Sequence, residues 1–203
     1  MPPPDGGSPP GRSPLTDTTP AAGFRHLGDD VRVEGWRISL VSAEFEAPDG
    51  TRFTRDVVRH PGAVAVVPVT DRGTVLLVRQ YRGPIDRELL EIPAGTRDVA
   101  GEPPEETARR ELEEEVGVRA GTMQLLGTVF NTPGFCDEET LLYMAGGLVP
   151  GTAARHGHEE RFIEVVEVAL ADVDAMTASG ALVDAQTVLG LLLARHALAR
   201  PRP

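Results

Sequence analysis

The stretch from Glu91 to Val118, EIPAGTRDVAGEPPEETARRELEEEVGV, restricts this chain more than any other part of it. A strand-like run stops at Ala94-Gly95, a turn follows, and Pro103 and Pro104 stand where a helix opens and a missing N–H does no harm. The helix predicted after them carries Ala108, Leu112 and Val116 as an apolar stripe at helical spacing. At about 100° per residue, Glu111, Glu114 and Glu115 share one sector beside that stripe. One edge of the helix is therefore buried, and the next is crowded with carboxylates.

Such a helix is locally unfavourable. Like charges three or four residues apart cost about 0.2–0.5 kcal/mol per pair. Glu115 also lies in the last turn before Gly117, where the helix dipole repels an anion by roughly 0.3–1 kcal/mol. A divalent cation reverses both signs, and oxygen-only ligands on a rigid element suit Mg²⁺ or Mn²⁺ rather than zinc. The competing reading is an acidic face that is merely solvated, and taken alone the run Glu113-Glu114-Glu115 fits it. The spacing of the other residues in the stretch is what that reading leaves unexplained.

That spacing resembles the Nudix box: a glycine, five residues, a glutamate, seven residues, then Arg-Glu-hydrophobe-x-Glu-Glu-x-Gly-hydrophobe. Glu102, Arg110, Glu111, Leu112, Glu114, Glu115, Gly117 and Val118 match in register. One position departs. Six residues stand between Gly95 and Glu102, and Thr96 occupies the place expected for the glycine, which reads as a one-residue loop insertion before the helix. The resemblance continues outside the box. TRDVV-x-HPGAV from Thr54, VRQYR from Val78, ELLEIPAG from Glu88 and TPGFCDE from Thr132 look like the ADP-ribose pyrophosphatase subgroup of that family.

The rest of the chain is read from pattern. Residues 1–23 are rich in Pro, Gly, Ser and Thr and read as a disordered leader. From Phe24 to about residue 60, alternating segments around Pro48-Asp49-Gly50 predict an antiparallel, hairpin-like β unit. Trp36 is expected to be a packing residue there, with an interface anchor as the alternative. Residues 61–200 then form the catalytic domain, with strands over 63–69, 74–82 and 89–93, others over 123–130, 140–145 and 162–168, and two closing helices near 170–179 and 185–199. The inventory predicts an α+β fold, which the resemblance sharpens to a Nudix-type α/β/α sandwich with a mixed β-sheet, its N-terminal antiparallel unit contributing to a homodimer.

Charge and cysteine content limit the setting. The net charge of −11 argues against a generic nucleic-acid surface. No run approaches the roughly 18 apolar residues of a membrane span. The single cysteine, Cys136, permits no intramolecular disulfide and suits a reducing compartment, so a cytoplasmic protein is expected.

The resemblance implies Mg²⁺-dependent hydrolysis of ADP-ribose to AMP and ribose 5-phosphate, with Mn²⁺ as the other metal. Glu111, Glu115 and the carbonyl of Ala94 are expected to ligate the metal, with Glu114 assisting directly or through water. Arg82, and with it Arg79 and Arg55, would hold phosphate or ribose through guanidinium forks. Glu91, Pro133 and Glu138 complete the expected substrate-binding set. Glu102 and Arg110 are expected to be structural, Arg110 pairing with Glu114. The general base is expected on the loop before Phe162, at Glu160 or Glu159, with Glu160 preferred. His156 and His158 beside it read as exposed loop histidines rather than a metal pair. Two other functions stand beside this one. One is hydrolysis of another nucleoside diphosphate such as a sugar nucleotide or NADH, and the other is a ligand sensor of the same fold without catalysis.

Overall fold

Alternation along the first hundred residues decides where the strands lie, and the computed structural model, which describes residues 22–155 and 157–200, shows them gathered into two compact units. Most of the expected leader, residues 1–21, and His156 lie outside the described residues.

Among the described residues, the first unit comprises 22–62 together with Thr132–Glu138. Its β1 (Arg25–Glu34), β2 (Ser39–Glu46) and β3 (Arg52–Arg59) form an antiparallel meander in that order. The hairpin-like unit is thus three-stranded, because Arg52 to Arg59 continue as one strand. The turn after β2 closes with Ala47 N–H on the Thr51 carbonyl at 2.8 Å, and Gly50 supplies its left-handed φ of 84°. Phe45 stacks on Phe53 with centroids 5.5 Å apart, a cross-strand pair in register. Trp36 does not pack as expected. It sits in the turn between β1 and β2 with 89% of its surface exposed, covered on one side by the Arg37 guanidinium at 4.5 Å.

Segment 132–138 belongs to this unit because its backbone pairs with β3. Val58 N–H donates to the Phe135 carbonyl at 2.7 Å, and Asp137 N–H to the Val58 carbonyl at 3.2 Å. Arg59 fixes the arrangement by donating to Asp29 through Nε and Nη2 (2.9 and 2.8 Å) and to Asp137 through Nη1 (3.0 Å).

The second unit holds residues 63–131 and 139–200 among those described. In chain order it contains β4 (Ala63–Pro68), β5 (Thr74–Arg82), β6 (Arg87–Glu91), β7 (Ala94–Thr96), α1 (Pro104–Val116), β8 (Val118–Phe130) and β9 (Glu139–Pro150). Then come β10 (Glu164–Ala169), α2 (Val173–Ser179) and α3 (Ala185–Ala199). One sheet runs β7-β4-β9-β8 and a second β10-β5-β6, with β4 and β9 parallel and the other pairs antiparallel. Mixed sheets with helices are what the α+β assignment requires.

Strand β4 is apolar and buried at every position, as a strand covered on both faces should be. Its alternate residues Val64 and Val66, with Leu141, Tyr143 and Ala145 of β9, pack against Ala108 and Leu112 of α1. Ala65, Val67 and Leu142 face the other way, into a core with Leu77 of β5, Ile92, Val173 of α2, and Leu191 and Ala194 of α3. Helix α1 is therefore seated on one face of the strand that also pairs with the glycine turn. Strand β10 begins at Glu164, later than expected, because Glu160–Phe162 coil into a 3-10 turn, closed by Ile163 N–H on the Glu160 carbonyl at 3.1 Å. Phe162, read as its first residue, is 84% exposed instead. Among the described residues no helix is long and apolar enough to cross a membrane.

Candidate active site

The end of β6 delivers the backbone to the helix. Val66 N–H donates to the Pro93 carbonyl at 2.9 Å, and Ala94-Gly95-Thr96 then pair with β4 as β7. Two contacts lock this turn against α1. Ala94 N–H donates to Glu115 Oε2 at 3.1 Å, and the carboxyl of Glu111 lies so close over Gly95 that an added Cβ would stand 2.0 Å from its Cδ. Gly95 rather than Thr96 therefore takes the place of the glycine of the box. The extra residue is absorbed downstream, where Glu102 N–H closes on the Val99 carbonyl at 3.2 Å and Gly101 turns with φ of 78°.

Helix α1 starts with Pro103 at its N-cap and Pro104 in its first turn, and Gly117 closes it with φ of 77°. Buried Ala108 and Leu112 set its rotation, which carries Glu115 inward to 6% exposure. Glu111 is partly buried beside it, and the side chain of Glu114 is more open. Burial first, then the charge of Glu111 and less strongly that of Glu160, push the Glu115 carboxyl up to about 8 against the Ala94 N–H and the Arg82 charge. Burial raises Glu111 as well, while the Arg110 charge opposes it. Arg110 is the hub of the helix face. It donates to Glu111 at 2.8 Å, Glu102 at 3.3 Å and Glu114 at 3.5 Å, so the expected pair with Glu114 is the longest of three. Burial presses its pKa down, but these glutamates overcome that and hold it above the ordinary arginine range. Glu102 accepts also from the Thr107 hydroxyl at 2.8 Å, which ties the turn to the first turns of the helix.

Arg82 ends β5. Its Nε and Nη2 donate to Glu91 at 2.9 Å, and Gln80 Nε2 donates to the same carboxylate at 2.7 Å. Glu91 is 2% exposed, and its carboxylate, steadied by Gln80, aims that guanidinium. Burial works against the Arg82 charge, and the Glu91 hydrogen bond and charge outweigh it. Arg79 faces Glu164 across the β5–β10 pair at 3.4 Å. Of the two base candidates, Glu160 is half-buried, accepts Gly157 N–H at 2.8 Å, and its charge acts on Glu115. Glu159 is exposed and its charge acts on Tyr81 instead. His158 is exposed as expected.

The second unit thus brings together Arg82, Glu91, Ala94, Glu111, Glu114, Glu115 and Glu160. Arg55, Pro133 and Glu138 belong to the first unit. There Arg55 lies exposed over the Phe53 ring at 4.7 Å and donates to the Thr54 carbonyl at 2.8 Å, and Pro133 is exposed.

Two arginines escaped the sequence reading. Arg59 holds segment 132–138, as described above. Arg155 donates through Nε and Nη2 to the Glu115 carbonyl (3.2 and 2.9 Å) and through Nη1 to the Ile163 carbonyl (2.7 Å). Neither stands in a pattern that marks it, since Asp29 and Asp137 lie 30 and 78 residues from Arg59, and Glu115 lies 40 from Arg155. Glu113 accepts Thr152 N–H at 3.2 Å and so holds the same loop.

The donor set fits a divalent cation. Two carboxylates, one nearly buried and hard to ionise alone, lie beside a backbone turn that a side chain at Gly95 would block. Among the described residues no three His, Cys, Asp or Glu side chains form a ready-made cage.

Comparison with known proteins agrees with this geometry. A NUDIX domain model matches residues 59–188. The chain is 40% identical over 154 residues to the ADP-ribose pyrophosphatase of Bacillus subtilis, which covers 76% of this chain and 83% of that protein. It is 39% identical over 184 residues to the ADP-ribose pyrophosphatase of Mycobacterium tuberculosis, covering 89% and 88%. A solved structure described as an ADP compounds hydrolase shares the fold with a TM-score of 0.74 at 24% identity, over 86% of this chain and 94% of that one.

Proposed function

This chain belongs to the NUDIX domain family and is a Nudix hydrolase, and from that premise we propose that it cleaves the pyrophosphate bond of ADP-ribose, giving AMP and ribose 5-phosphate, with Mg²⁺ as its metal. The observation that carries the reading is the pair Glu111 and Glu115, gathered beside Ala94 and Gly95 with Glu115 in the field of both Arg82 and Glu160.

Glu111, Glu115 and the Ala94 carbonyl would hold the ion, with Glu114 beside them. When bound, the ion neutralises diphosphate charge and lowers the pKa of water. Arg82, aimed by Glu91, binds a phosphate or ribose oxygen as a planar fork, and Arg79 adds to that grip. The family resemblance supports Arg55, Pro133 and Glu138 of the first unit as further substrate-binding residues. Glu160 takes the proton of the attacking water as its oxygen bonds to phosphorus, and the bridging oxygen leaves with the other phosphate. Its partial burial, and a charge that acts on Glu115, support it over the exposed Glu159.

We also infer a cytoplasmic homodimer. Val31, Val33, Trp36, Ile38 and Leu40 of the antiparallel unit are all exposed, which supports a partner surface there, and the lone cysteine suits a reducing compartment.

The test is purified protein with Mg²⁺, a panel of nucleoside diphosphate derivatives including sugar nucleotides and NADH, and product analysis. ADP-ribose should rank among the best substrates; a clear preference for another derivative sinks the substrate assignment. Replacing Glu160 by Gln should lower kcat by about 10²- to 10⁴-fold, and Glu159→Gln should have little effect.

A further inference from the structure

Helix α1 has no basic residue in its last turn, so its terminal carbonyls must be met from elsewhere. The segment after β9 does this. Gly151 N–H donates to the Gly117 carbonyl at 2.8 Å, Ala154 N–H to Glu114 at 3.1 Å, and the Arg155 guanidinium to Glu115 at 2.9 Å. The third donor of that guanidinium reaches forward to the Ile163 carbonyl at 2.7 Å. Ile163 is itself buried and opens the way into β10. A single planar side chain therefore joins the end of the helix that carries Glu115 to both ends of the loop that carries Glu160.

We propose that Arg155 is a positioning residue that sets where Glu160 stands relative to Glu115. The proposal rests on the reading of Glu160 as base given above. Within the turn, Glu160 accepts Gly157 N–H at 2.8 Å, and Arg155 adds a connection from the start of the loop to the last turn of the helix and to Ile163. Arginine suits the task because its fork reaches two carbonyls in one plane with donors pointing different ways. Lysine could meet one of them. A displacement of about 1 Å at a reacting group costs about 100-fold in rate, which gives the clamp its expected weight.

A double-mutant cycle tests it in the full-length protein. Arg155→Met, Arg155→Lys, Glu160→Gln and the combined Arg155→Met/Glu160→Gln variant are assayed with ADP-ribose and saturating Mg²⁺, with circular dichroism and thermal melting reporting their folding. Arg155→Met should lower kcat by about 100-fold while KM changes little, and Arg155→Lys should recover part of the loss. The combined variant should be no slower than Glu160→Gln alone, since a base already removed cannot be misplaced. Multiplying losses in the combined variant, or a rise in KM with kcat intact, overturns the proposal. If Arg155→Met does not fold, Arg155→Lys takes its place in the cycle with the same criteria. The two readings separate cleanly. Glu160→Gln with normal turnover removes the base assignment and the clamp with it, whereas a dead Glu160→Gln beside a normal Arg155→Met removes the clamp alone.

Discussion

Glu115 is held where a carboxylate is least comfortable, and that discomfort is measurable. Its folded pKa of about 8 lies above the ordinary 4.5, so the native state binds more protons than the unfolded chain between those values. The contribution to stability is fully present below about pH 4.5 and is lost as pH rises through about 8. In the metal-free protein the melting temperature should therefore fall over that range more steeply than in Glu115→Gln, and Mg²⁺ should restore it most at the alkaline end. Parallel slopes for the two proteins would discard the account. Gly95 gives a second prediction at this scale. An alanine there meets the Glu111 carboxyl at 2.0 Å, so Gly95→Ala should cost about 1–3 kcal/mol or displace Glu111, with loss of turnover either way. The glutamates were legible because a helix repeats on a known period, and a charge that spoils its own helix asks for a cause. Arg59 and Arg155 were not legible. An arginine acquires a partner 78 or 40 residues away only through the fold, and no local pattern announces it.

Elements were legible where period and punctuation agreed, as for α1 between its prolines and Gly117, or the all-apolar β4. The start of β10 was not, because the alternation through Phe162 and Ile163 looks the same whether the backbone is extended or coiled into a 3-10 turn. Helix α3 shows how a cap can serve a distant strand. Asp184 accepts Thr187 N–H at 2.8 Å, and the Thr187 hydroxyl in turn accepts the buried N–H of Ile92 at 3.0 Å. Asp184→Ala should cost about 0.5–2 kcal/mol, read by denaturant unfolding. Thr187→Val keeps the volume but strands a buried donor at the end of β6, and should cost about 1–3 kcal/mol. If it costs nothing, the Thr187–Ile92 bond is not what holds that strand end.

At the scale of the whole molecule, the fold class could be read from the succession of patterns, and the family resemblance supplied the arrangement of layers. The passage of residues 132–138 into the first unit could not be read, because it depends on β3 having a free edge at Val58 and on Arg59 reaching Asp137. Deletion of residues 1–62 should accordingly do more than remove a surface. It should leave segment 132–138 without its backbone partners on β3, seen as faster amide exchange there. Protection of that segment in the truncated chain would show that it is held by something other than β3. The same interlacing bears on how such proteins can be recombined. The N-terminal unit is not a cassette with one seam: a chimera that exchanges it between two relatives must carry the Thr132–Glu138 insert along, or it will join a strand from one parent to a loop fitted to the other.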